Sequence, residues 1–183
     1  MAGESRSLTT HDIAYSAACI ALVAVAAWVT VPIGPVPFTL QTMAIAFVVA
    51  AMTPRRIVVS LLGYLLLGAV GLPVFSGMQG GAGVLFGMTG GFLIALIPAS
   101  VVAAMIVGDG SDVRRRVAAA YATDAIMFLV GWAWLAYVGG LDPAQAFAAG
   151  VAPFVVPDLC KVAAGIAVAQ AVARAVPQLG RQA

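Results

Sequence analysis

Charged side chains are scarce in this chain, 9 Lys+Arg and 7 Asp+Glu among 183 residues, or 9% where a soluble domain carries about 25%. With 63% of the residues apolar, water is not the solvent for most of the surface. Cysteine is almost absent: Cys19 and Cys160 both sit in apolar runs, which excludes a secreted disulfide scaffold. The single histidine, His11, has no Cys, Glu or second His near it, so neither a metal nor a cofactor is expected. No Gly-Lys-Ser/Thr follows any glycine run, so the chain has no P-loop with which to hydrolyse ATP. A formal charge of +2 without a basic stripe also excludes a nucleic-acid partner.

What is present is a series of long uncharged runs separated by short polar stretches, the layout of an all-α polytopic membrane protein whose neighbours are lipids. Six runs approach the length of about 20 residues that a bilayer requires. They predict helices over about 13–31, 39–52, 57–74, 90–107, 117–138 and 151–176, within a single membrane-embedded domain spanning 1–183. The second is short, so its helix either takes in part of the proline-rich segment before it or ends below the interface. Ala24 and Ala26 could form a signal-cleavage site, but the first run is too long for one, and it is read as a span.

Orientation follows from the arginines, because cytoplasmic loops retain basic residues. Arg6, Arg55, Arg56, Arg114, Arg115, Arg116, Arg174 and Arg181 all fall on one side of a six-span arrangement, and loops 1/2, 3/4 and 5/6 hold none. Both termini are therefore expected in the cytoplasm, with the glycine-rich loop 3/4 outside. The ninth cation, Lys161, lies within the sixth span.

The unusual residues collect on the arginine-free side. Loop 1/2 carries Pro32, Pro35 and Pro37 and then a polar run, Thr39, Gln41 and Thr42; proline makes this segment stiff and non-helical. Residues 71–91 hold eight of the chain's 20 glycines, with Phe75, Ser76, Gln79, Phe86 and Thr89 between them. An apolar, irregular loop of this kind is tolerated at membrane depth only where protein covers it or it lines a cavity. The bland reading is a flexible turn; the functional one is a lid over a ligand.

Asp158 and Lys161 at the start of the sixth span are the decisive pair. Counted from Pro153, they lie roughly 8 and 12 Å below the outer end of the helix. Each costs about 2.5–3.5 kcal/mol at mid-membrane, and i, i+3 spacing puts them on one face where they offset each other. The pair either ties helices together or presents a strong acceptor and a strong donor to a ligand. Asp124 sits nearer the arginines and is expected to bond between helices. Cys160 projects away from the Asp158/Lys161 edge and has no histidine base, so no catalytic residue is assigned and the protein is not expected to be an enzyme. On the first span, Ala14 and Ala18 stand one turn apart and suit either packing within the bundle or docking of another membrane subunit.

The strings GPVPFTLQT at 34–42, YLLLGAVGLPVFSG at 64–77, QGGAGVLFGMTGGFL at 79–93 and PFVVPDLCK at 153–161 resemble the BioY family, the biotin-specific S components of energy-coupling factor (ECF) transporters. The resemblance covers about residues 10–175. It implies six helices, high-affinity capture of biotin from outside, a prokaryotic cell (inner) membrane, and partners consisting of a transmembrane coupling protein and two ABC ATPases. It also implies that Asp158, Lys161 and Gln79 bind the ligand and that Ala14 and Ala18 meet the partner. The chain departs from the family pattern at Val156-Pro157-Asp158, at Gly87-Met88-Thr89 and at Gln79.

Biotin's ureido ring, with two N–H donors and one carbonyl, suits Asp158 and Lys161. Its apolar chain would lie along Phe38, Phe75 or Phe86. Its carboxylate would need Gln79, Gln41, Thr89 or loop N–H groups, or else Lys161 itself. The alternatives are an S component for another vitamin and a non-transport membrane assembly subunit.

Overall fold

A computed structural model describes residues 9–109 and 112–175; Arg6, Arg181 and the expected helix end at Val176 fall outside these. The described chain is helical apart from one two-stranded hairpin. Helix α1 (Thr10–Trp28) opens on a capping box in which Thr9 accepts from the Asp12 N–H and Asp12 accepts from the Thr9 N–H. The hairpin pairs β1 (Thr30–Val31) with β2 (Phe38–Thr39), and the prolines between them form its turn. Two helices follow, α2 (Gln41–Ala51) and α3 (Pro54–Ala69), with Pro54 in the first turn of α3 where its missing N–H is harmless. A 3-10 turn (Ser76–Met78) and α4 (Ala82–Phe86) lie in the glycine-rich segment. Next come α5 (Gly90–Ile94) and α6 (Leu96–Val107), which run on as one apolar segment, then α7 (Val113–Gly139), α8 (Pro143–Gly150) and α9 (Val155–Ala175).

Four segments are long and apolar enough to cross a bilayer, namely Thr10–Trp28, Gly90–Val107, Val113–Gly139 and Val155–Ala175. Helices α2 and α3, with 11 and 16 residues, fall short of the usual length. The proline-rich segment therefore does not extend α2, as one sequence expectation had it; it turns back as a hairpin. Helix α3 stops at Ala69 rather than 74 because Gly71 takes a φ of +107° and Pro73 follows. Helix α7 starts four residues earlier than expected, since Asp112 caps it by accepting from the Arg114 N–H at 2.9 Å. Helix α9 starts four residues later, and α8 occupies part of the stretch read from sequence as a plain loop.

Helix α2 is the most enclosed element, with Ala44, Ile45, Ala46, Val48, Val49 and Ala50 all buried. Lipid tails are as apolar as these side chains, so close van der Waals contact must hold the helices together. Gly165 of α9 supplies it: a Cβ there would overlap the Met43 carbonyl of α2.

Helices α1 and α3 lie side by side and are tied at both ends. Arg56 Nε donates to Asp12 Oδ1 at 2.8 Å beneath the Tyr15 ring, and the Trp28 indole N–H donates to the Pro73 carbonyl at 2.7 Å. At the arginine-bearing end, Arg116 donates to the Ala50 and Met52 carbonyls, both at 2.9 Å, and so satisfies orphan acceptors at the end of α2. The beginning of α2 faces the opposite end, and there the chain leaves a cavity.

Candidate functional site

The cavity encloses about 360 Å³, within the range of small-molecule sites. It is built from the hairpin, the beginning of α2, the glycine-rich segment, the middle of α7 and the beginning of α9. Asp158 belongs to the first turn of α9, where a neighbouring proline, Pro157, is tolerated, and its own N–H donates to the Phe154 carbonyl at 2.8 Å. Asp158 is 5% exposed and pairs with Lys161 one turn further on, as the spacing predicted. Lys161 Nζ also donates to the Thr39 carbonyl at 2.8 Å and stands 4.2 Å from the centre of the Phe38 ring. Phe38 in turn stacks on Phe154 with ring centres 6.5 Å apart. The ion pair thus joins α9 to the hairpin as well as facing the cavity.

A buried polar group beside the pair lacks a hydrogen-bond partner, the amide Nε2 of Gln41. The Thr42 hydroxyl bonds to the Asp158 carboxylate, and both Thr42 and Gln41 line the cavity. A buried donor without a partner costs about 1–3 kcal/mol, which a ligand acceptor would relieve.

The glycine-rich segment is held in place rather than loose. Phe75 is 1% exposed, packs edge-on against Tyr64 and lies across Gly68, where a Cβ would fall within its ring. The Tyr64 hydroxyl donates to the Val74 carbonyl at 3.0 Å, and the Phe75 N–H to the Gln79 carbonyl at 2.9 Å. At the far end of the segment the Trp134 indole donates to the Gly87 carbonyl at 2.9 Å. These bonds set Phe75, Gln79 and Thr89 on the cavity wall, with Gln79 exposed at its mouth.

Of the expected ligand contacts, Asp158, Lys161, Gln79, Gln41, Phe75 and Thr89 come together around one space. Phe86 does not: it lies at the end of α4, 70% exposed and turned away from the cavity. Phe38 is not a wall either, since its ring is taken up by Lys161 and Phe154. Sequence reading missed Phe92, Met127, Phe128 and Phe154, which supply apolar lining; the signal that could have found Met127 and Phe128 is Asp124, one turn before them on the same face of α7. Asp124 lies between helices, as expected, but nearer the pair than its distance from the arginines suggested. It is buried at the junction of α2, α7 and α9 beside Thr42, Met127 and Val162, close enough to act electrostatically on Asp158 and Lys161. Cys160 is exposed, on the far side of α9 from the pair. On α1, Ala14 and Ala18 are exposed while Ser16, Cys19 and Val23 are buried.

The sequence profile of the BioY family matches residues 3–178. The chain belongs to the BioY family. It is 36% identical over 163 residues to the probable biotin transporter BioY of Pyrococcus horikoshii, covering 89% of this chain and 96% of that protein. It is 35% identical over 142 residues to the biotin transporter BioY of Thermotoga maritima, covering 78% and 83% of the two chains. The fold is that of the crystal structure of the S-component for biotin from an ECF-type ABC transporter, with a TM-score of 0.81, 22% identity, and coverage of 92% of this chain and 95% of that one. This BioY chain is accordingly a multi-pass membrane protein with an S-component fold.

Proposed function

We propose that this BioY protein is the substrate-binding subunit of a biotin uptake system: it captures biotin from the outer side of a prokaryotic cell (inner) membrane and delivers it inward with an ATP-driven ECF module. The observation that carries this reading is the cavity with its Asp158/Lys161 pair and the unpartnered Gln41 amide, placed at the end of the bundle opposite Arg56 and Arg116. Relatives named biotin transporters and a structural neighbour described as the S-component for biotin support the ligand.

The topology proposed is a single membrane-embedded domain with six spans, counting α2 and α3 as the second and third and α5 with α6 as the fourth. Both termini are then cytoplasmic and the cavity faces outward. Asp158, Lys161, Gln79, Gln41, Phe75 and Thr89 form the binding site. With no P-loop in the sequence, release requires an energised partner, a transmembrane coupling protein with two ABC ATPases. The exposed Ala14/Ala18 face of α1 suits close approach of that partner's helices. Equilibrium binding of labelled biotin to the purified protein tests the reading: saturable binding, competed by biotin and not by other vitamins, is expected, and its absence overturns the assignment.

A further inference from the structure

Resting on the reading of this cavity as a biotin site, we infer that it reads the ureido end of the ligand and leaves the carboxyl end unread, so that biotins capped or conjugated at the carboxyl group, as neutral amides or esters, are ligands of this protein. The inference starts from Lys161, the one cation among the described residues that line the cavity. An ammonium has three N–H groups. Here they are matched by Asp158, by the Thr39 carbonyl at 2.8 Å and by the face of Phe38 at 4.2 Å, and the side chain is only 10% exposed. Lys161 is therefore a positioning residue, which fixes Asp158 and the end of the hairpin and has no donor left for a ligand carboxylate.

The donor beside it that does lack a partner is of another kind. Gln41, 7% exposed, leaves its amide Nε2 buried and unbonded, while the Thr42 hydroxyl is turned to the Asp158 carboxylate and helps to fix it. One anionic acceptor beside a neutral amide donor is the complement of a cyclic urea, whose N–H groups donate and whose carbonyl accepts. A second carboxylate placed there would set like charges together in a poorly solvated space. The mouth, by contrast, is neutral and wet: Gln79, Gly77 and Pro35 are exposed, and the nearby Ser76 hydroxyl is occupied with Thr30 at 3.1 Å. A carboxylate lodged there keeps its water, and converting it to an amide removes a charge that no protein cation had met.

The test compares biotin with biotinamide on the purified protein by equilibrium binding. Biotinamide is expected to bind within about tenfold of biotin; a greater loss overturns the inference while leaving the biotin reading intact. Lys161→Ala supplies a second, independent readout. It should weaken both ligands by the same factor, because a residue that acts through Asp158 has no coupling to the carboxyl group. A variant that loses biotin but retains biotinamide affinity would identify Lys161 as the carboxylate's partner and overturn the inference. Failure of the wild-type protein to bind biotin at all would overturn the underlying assignment and this inference with it.

Discussion

Lys161 Nζ donates to the Thr39 carbonyl oxygen at 2.8 Å, a bond between residues 122 positions apart in the chain. Because the same ammonium pairs with Asp158, a single side chain holds the hairpin, α9 and the carboxylate of the proposed site in one arrangement. Its removal should be felt at all three.

Asp158→Asn and Lys161→Ala are each expected to weaken biotin binding by about 2–5 kcal/mol, since either change leaves its partner buried and unpaired. Titration of the purified variants checks this. Affinities within about twofold of wild type, a difference below about 0.5 kcal/mol, would make the pair purely structural.

The two phenylalanines of the glycine-rich segment should separate. Phe86→Ala, at a side chain 70% exposed, is expected to leave biotin affinity and thermal stability unchanged, whereas Phe75→Ala opens the cavity wall and lowers both. Gly68→Ala should mimic the loss at Phe75 by about 1–3 kcal/mol of overpacking. Gly83→Ala, where an added Cβ meets nothing within 4 Å, is the control.

Docking is tested on α1. Ala14→Trp with Ala18→Trp should leave biotin binding by the isolated protein intact and reduce ATP-dependent uptake in cells that contain the energising module. Joint loss of binding and uptake would show that this face packs within the bundle; unchanged uptake would show that it meets only lipid.

Topology is tested with single cysteines in a background lacking Cys19 and Cys160. Gln145→Cys, exposed on α8, should react with a membrane-impermeant reagent from outside. Val113→Cys, beside the arginine cluster and 51% exposed, should react only after the membrane is opened. The reverse pattern would invert the proposed orientation.

Much of the candidate site was legible in advance because membrane burial makes polar residues conspicuous. Asp158 and Lys161 stand out in an apolar run, and i, i+3 spacing alone places them together. Gln41, Gln79 and Thr89 stand out in the same way beside prolines and glycines. Phe38 and Phe86 lie off the cavity wall, and the sequence could not show it because a proline- or glycine-rich loop carries no periodicity from which the direction of a side chain can be read.

By itself, the sequence determined the solvent, the helical character and the bonding groups, since scarcity of charge and the length of apolar runs act locally, residue by residue. The family, too, was readable from four short strings. Only the tertiary structure decided which side chains face the cavity. Met127 and Phe128 line it because α7 packs there, one turn beyond Asp124, and how far along that face the cavity extends is set by packing rather than by the local sequence. Lys161 is committed to Thr39 and Phe38 because the hairpin folds back onto α9, a contact set by long-range packing that spacing along the chain cannot encode.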